Sequence, residues 1–288
     1  MKTKIRYLTG MLTLLGVLPI SVVIPSCSDS NFKSAPSAPK QPSADGRQSP
    51  PEGGVNPQPD VAPEPGFAKA GKSLDLYVIM DKSGSLYVDP TTQVMGSGSD
   101  VECKRFDALL ELVESLKTKL KANEQVRLTL VTFSKEARLL GSLDQLLSQT
   151  RPQITQKFRA GVCDNPDYDT TNYERGISTA LQSRSANILS KRLDLESVVF
   201  FSDGAARDSD SQKLEQAVSQ LNVTFQNRIY GVLLGRTQDK CVLREPATGR
   251  LLQTSECMLK VVGNSPSRLV SVDDAQDLAD AWADLVNK

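Results

Sequence analysis

The sequence predicts an α/β fold: a doubly wound, mostly parallel central sheet flanked by helices. Two patterns predict it. Short apolar runs recur through residues 73–288, several of them apolar on both faces, as strands buried between two layers are. Between them, apolar residues return every three or four positions, the period of one helix face. Strands alternating with helices build such a sheet, and ligands then bind at the carboxyl ends of its strands.

The elements follow in order. Residues 74–80 read LDLYVIM and end at Asp81. Phe106, Leu109, Leu110, Val113, Leu116 and Leu120 make the first helix stripe. Residues 126–133, VRLTLVTF, form the second strand. Ile177, Ala180, Leu181 and Ile188 mark a second helix, and residues 198–201 a short, fully apolar strand. Leu214, Ala217, Val218 and Leu221 give a third stripe; residues 229–234, IYGVLL, give another strand. A last short run, 269–272, precedes Asp273-Asp274 as an acidic helix start, then Ala275, Leu278, Ala279, Trp282, Leu285 and Val286. All four stripes are read as core packing.

Composition excludes several functions. Lys plus Arg and Asp plus Glu both number 34, so the formal net charge is zero. No basic excess supports nucleic-acid binding. The chain has no histidine, which removes serine–histidine and cysteine–histidine catalysis and every His-ligated metal site. Four cysteines after Cys27 offer no C-x-x-C pair, against a zinc site.

Residues 1–72 are set apart from the fold. Lys2, Lys4 and Arg6 precede an apolar stretch over 7–24, interrupted by Gly10, Gly16 and Pro19. That is the layout of an export signal. The stretch ends in Ile24-Pro25-Ser26-Cys27, which resembles a bacterial lipobox. The resemblance implies cleavage after residue 26 and lipidation of Cys27. Pro25 departs from the commoner residue at its position. Ser28 resembles the sorting signal of outer-membrane lipoproteins. Residues 27–72 read as a disordered tether: nine of the sixteen prolines fall in 28–66, and no apolar period is present. A coil over 28–66 spans about 31–37 Å.

Three short segments carry the candidate site. Asp81-Lys82-Ser83-Gly84-Ser85 follows the first strand, Thr170-Thr171-Asn172-Tyr173-Glu174 opens a helix, and Ser202-Asp203-Gly204 follows a central strand. Together they resemble the metal-ion-dependent adhesion site of the von Willebrand factor type A family, written D-x-S-x-S with a distant Thr and a distant Asp. The resemblance covers residues 73–288. It implies a Rossmann-like fold and a metal set of Asp81, Ser83, Ser85, Thr171 and Asp203. Ser202 stands where the family commonly has Thr. Mg²⁺ is the implied ion, with Mn²⁺ or Ca²⁺ as alternative occupants. Mg²⁺ is hard and seeks six oxygens. The serine and threonine hydroxyls supply neutral ones. The two aspartates are implied to act mainly through water, which keeps the ion open to a carboxylate from a protein partner. Both are expected near the surface.

The expected function is a lipid-anchored adhesion or scaffold head in the bacterial cell envelope, outer membrane in the first instance. It is not expected to be an enzyme. Two alternatives stay open. One is a Mg²⁺-dependent hydrolase using Asp164, Asp167, Asp169 or Asp208; the other is a structural head without metal. No phosphate-cradling G-x-x-x-x-G-K-S/T loop supports the first.

Two segments look added to the family's fold, near 86–102 and 236–262. Leu86, Tyr87 and Val88 are expected to contact the partner, and Gly96-Ser97-Gly98-Ser99 to keep the segment's far end mobile. Replacing 87–101 is therefore expected to spare metal affinity and remove partner capture. Four cysteines in an exported chain allow three pairings. In the resembled fold Cys103 and Cys163 lie at the metal end. Cys241 and Cys257 bracket a hairpin in which Val242-Leu243 faces Leu251-Leu252, with Pro246 and Gly249 at its turn. The favoured pairs are thus Cys103–Cys163 and Cys241–Cys257.

Overall fold

The computed structural model describes residues 66–287, apart from Pro90, 165–169, Asp208 and 236–237. The export segment, Cys27 and the stretch 28–65 of the tether lie outside the described residues.

Among the described residues, eight strands and six α-helices form the fold. In chain order they are β1 (Leu74–Asp81), α1 (Lys104–Lys119), β2 (Val126–Phe133), β3 (Ala137–Leu143), α2 (Arg151–Cys163), α3 (Tyr173–Ser190) and β4 (Leu195–Ser202). Then come α4 (Ser211–Thr224), β5 (Ile229–Leu234), β6 (Lys240–Arg244), β7 (Leu251–Gln253), α5 (Thr254–Val261), β8 (Leu269–Val272) and α6 (Leu278–Asn287). Six strands make one sheet in the order β3-β2-β1-β4-β5-β8, and only β3 runs antiparallel. The predicted doubly wound sheet is present.

Alternation along β1 explains the two layers. Leu74, Leu76, Val78 and Met80 join a core with α1, α2 and α6, where Trp282 is fully buried. Tyr77 and Ile79 point the other way, into a core built with α3, α4 and α5. Side chains from both faces of β1 and β2 are buried, which is why those strands read as continuous apolar runs.

Three elements were not predicted: β3, α2 and α5. Edge strand β3 lacks a continuous apolar signal because its residues are half-buried or exposed. Helix α2 buries only Ile154, Phe158 and Val162, too sparse a stripe to stand out. Its start was nonetheless written locally: Thr150 and Gln153 form a capping box, with Pro152 in the first turn. Helix α5 belongs to the 236–262 segment, which is no surface decoration. Cys257, Met258 and Val261 enter the second core, and Gly231 of β5 lets them approach: a Cβ there would meet Val262 at 2.9 Å and Met258 at 3.3 Å.

The packed chain also begins earlier than residue 73. Phe67 is fully buried, edge-on to Tyr230 at 5.0 Å between ring centres, and its carbonyl accepts from Ser197 Oγ at 2.8 Å. Both favoured disulfides are present, Cys103–Cys163 and Cys241–Cys257. The second closes the β6–β7 hairpin onto α5, and Lys240 pairs with Gln253 and Arg244 with Leu251.

Candidate metal centre

Strand order places the site. Strands β2 and β3 lie to one side of β1, and β4, β5 and β8 to the other. The order of strand addition therefore reverses between β1 and β4, the point at which such sheets bind ligands beyond their carboxyl ends. Asp81 is the last residue of β1, and Asp203 follows the last residue of β4. Parallel pairing sets Met80 beside Phe201, so the two aspartates arrive side by side.

Hydrogen bonds connect four of the five predicted residues. Ser83 N donates to Asp81 Oδ1 at 2.7 Å. The Ser83 and Ser85 hydroxyls lie 3.2 Å apart, and Ser85 Oγ donates to Asp203 Oδ1 at 2.8 Å. Thr171 joins across Gly204. A Cβ on that glycine would sit 3.6 Å from Ser85 Oγ and 3.8 Å from Thr171 Oγ1. Glycine at 204 thus leaves a cradle flanked by both hydroxyls. The loops are also tied through the backbone: Asn172 N donates to Ser134 O at 2.7 Å, and Arg207 N to Thr171 O at 3.1 Å.

Both aspartates were expected near the surface, but both are fully buried. The hydroxyl-bearing loops and Ser202 close over them. Burial pushes the Asp81 carboxyl up to about 7, the Asp203 charge adds to the rise, and hydrogen bonds from Ser202 and Ser83 oppose it. Two carboxylates facing one another at low dielectric repel, and a dication between them would remove that repulsion. Two carboxylates and three hydroxyls are all hard oxygen donors, the chemistry Mg²⁺ requires. Among the described residues no trio of His, Cys, Asp or Glu gathers as a metal site, so the hydroxyls would have to complete any set. On these grounds the donor set fits a hard divalent cation.

Three further residues build the site that the sequence reading did not assign to it. Ser202 Oγ donates to Asp81 Oδ2 and accepts from Gly204 N at 3.2 Å, so it holds the carboxylate that ends the neighbouring strand. Tyr173 is buried against Phe133 and Phe200, and its hydroxyl donates to Gly204 O at 2.6 Å, which fixes the turn after Asp203. Ser99 Oγ donates to Asp203 Oδ2. The first two lay inside quoted motifs and gave a signal; Ser99 gave none.

The expected partner contacts need correction. Leu86 is fully buried in the first core and offers no surface. Tyr87 is half-buried, with its hydroxyl donating to Cys163 O at 3.1 Å and accepting from Arg105. Val88 is half-buried and bridges to Met95. The large apolar side chains that this segment exposes are Val94, Met95 and Val101. The burial of Leu86 was not visible in sequence, because proximity to Ser85 says nothing about which way a side chain turns.

The profile of the von Willebrand factor type A domain matches residues 75–251, more than half of the sequence. The chain belongs to the von Willebrand factor type A family. Solved structures share this fold at low identity. Proximal thread matrix protein 1 from the mussel byssus superposes with a TM-score of 0.50 at 12% identity, covering 74% of this chain and 47% of that one. The PilB minor pilin from Streptococcus sanguinis gives 0.48 at 15%, covering 75% and 61%. An aerotolerance-related membrane protein from Bacteroides fragilis gives 0.44 at 15%, covering 75% and 99%. The chain thus spans about half to three-fifths of the byssus protein and the pilin. No curated protein matches it in sequence. Among the described residues, no helix of this von Willebrand type A chain is long and apolar enough to cross a membrane.

Proposed function

We propose that this chain is an exported, lipid-anchored von Willebrand type A head that binds a protein partner through a divalent cation, Mg²⁺ before Mn²⁺ or Ca²⁺. One observation carries the reading: two buried carboxylates and three hydroxyls, from three separate loops, converge where the strand order reverses, between β1 and β4.

Asp81 and Asp203 supply the negative charge and Ser83, Ser85 and Thr171 the neutral oxygens. Ser202 and Tyr173 hold the loops that present them. When bound, the ion offers a partner carboxylate a fixed positive charge. Selectivity then falls to the surrounding surface, where the exposed Val94, Met95 and Val101 are the apolar candidates. Cys27 is the proposed lipid site, and a multiply acylated cysteine would anchor the head stably. The sequence carries no phosphate-cradling G-x-x-x-x-G-K-S/T loop, which weighs against hydrolysis. Of the four aspartates a hydrolase would draw on, Asp164 lines a cavity of about 420 Å³ with Lys82, Glu136 and Arg138. Asp167, Asp169 and Asp208 lie outside the described residues.

The test is a cross-linked pull-down with the lipidated chain, with and without EDTA, beside Asp203→Ala. The reading expects partners recovered only by the wild-type chain with metal present. The same partners from all three samples would refute it.

A further inference from the structure

Ser99 sits in a segment that no motif marks, yet its hydroxyl meets Asp203. We propose that Ser99 is a positioning residue of the metal centre, mounted there by residues 86–103, and that it fixes the Asp203 carboxylate in the orientation an ion needs. The inference rests on the metal-binding reading above.

The carboxylate is bracketed. Ser85 donates to Oδ1 at 2.8 Å and Ser99 donates to Oδ2. With one hydroxyl on each oxygen, rotation about the Cβ–Cγ bond is stopped before any ion arrives. A group ordered in advance loses less entropy when it binds.

The mount is rigid for separable reasons. Residues 96–100 lie back along 85–87: Gly96 N donates to Tyr87 O at 2.9 Å, Ser99 N to Ser85 O at 3.1 Å and Asp100 N to Leu86 O at 3.0 Å. Gly98 permits that approach, since a Cβ there would sit 2.4 Å from Leu86 C and Tyr87 N. Next to Ser99, the buried Asp100 carboxylate receives Arg105 Nη1 at 2.6 Å and Lys104 N at 2.5 Å. Arg105 reaches on to Val162 O at 3.0 Å, in the helix that Cys163 ends. The Cys103–Cys163 disulfide ties the same two places covalently. Ser99 is therefore placed by the packed frame of α1 and α2.

The experiment measures Mg²⁺ affinity calorimetrically on folded, chelator-stripped wild type, Ser99→Ala, Ser99→Thr and Gly98→Ala, with melting temperature read in parallel. Loss of one hydrogen bond to an ionised group predicts roughly tenfold weaker Mg²⁺ binding in Ser99→Ala. Ser99→Thr keeps the hydroxyl and should stay near wild type. Gly98→Ala keeps Ser99 but displaces its backbone, and should weaken binding too. If wild type binds and Ser99→Ala binds within twofold of it, the inference is wrong and the metal reading stands. A merely structural Ser99 would lower the melting temperature and leave affinity unmoved, which also overturns the inference. Wild type that binds no Mg²⁺ overturns the metal reading, and this inference with it.

Discussion

Ser99 donates a hydrogen bond to Asp203 across 104 residues of sequence. That contact changes what the 86–102 segment is for. By sequence it was an appendage leaving the site at Ser85; in the fold it is one wall of the site. Replacing 87–101 by a short Gly-Ser link was expected to spare metal affinity. The Ser99–Asp203 contact supports the opposite prediction, because the link would remove Ser99, Asp100 and Tyr87 together. Mg²⁺ titration of the shortened protein should show affinity at least tenfold weaker. Unchanged affinity would restore the appendage reading.

Metal-free stability should depend on pH through Asp81. Its folded carboxyl titrates near 7, above the ordinary 3.8, so the folded state holds the proton longer than the unfolded one. Stability from this group is therefore full below about pH 4 and is lost as pH rises through about 7. Asp81→Asn should flatten that slope, abolish metal binding, and leave the metal-free protein no less stable than wild type at pH 8. Urea unfolding at pH 5 and pH 8 tests this. A metal-free wild type whose Asp81-dependent stability rises over that range would contradict it.

At the opposite end of the sheet, Arg127 pairs with Asp75, Nε at 3.0 Å from Oδ1, and Tyr77 donates to the same carboxylate at 2.9 Å. Arg127→Ala strands a buried charge and should cost about 3–5 kcal/mol. Chemical denaturation provides the number. Mg²⁺ affinity of whatever remains folded should be unchanged, since Asp75 lies near the start of β1 and Asp81 ends it.

Removing Cys241–Cys257 as a double serine variant should cost about 3 kcal/mol on the chain-entropy model, and Cys103–Cys163 about 4 kcal/mol. The losses should differ in kind. The first loosens the hairpin on α5; the second also loosens the mount of Ser99 and should weaken Mg²⁺ binding. Equal metal affinity in both variants would separate the disulfide from the site.

Sequence made the strands and the convergent oxygen donors legible for a physical reason. A buried parallel strand must be apolar on both faces, and a hard cation needs oxygen donors at strand ends; both demands leave local marks in residues 74–81 and 198–204. Edge strand β3 and helix α2 carry weaker marks, because each buries one narrow face. The depth of Asp81 and the inward turn of Leu86 were not legible, since both depend on which distant loops fold over them. Ser99 shows the same limit most plainly. One serine among several in 83–99 reads as linker until the fold sets it against Asp203.

The central claim is that Asp81, Ser83, Ser85, Thr171 and Asp203 form one divalent-cation site. Calorimetric titration of Mg²⁺ into the chelator-stripped chain, beside Asp203→Ala, tests it most directly. One saturable site in the wild type that vanishes in the variant is the predicted result. A flat wild-type titration, or equal binding by both proteins, would contradict it.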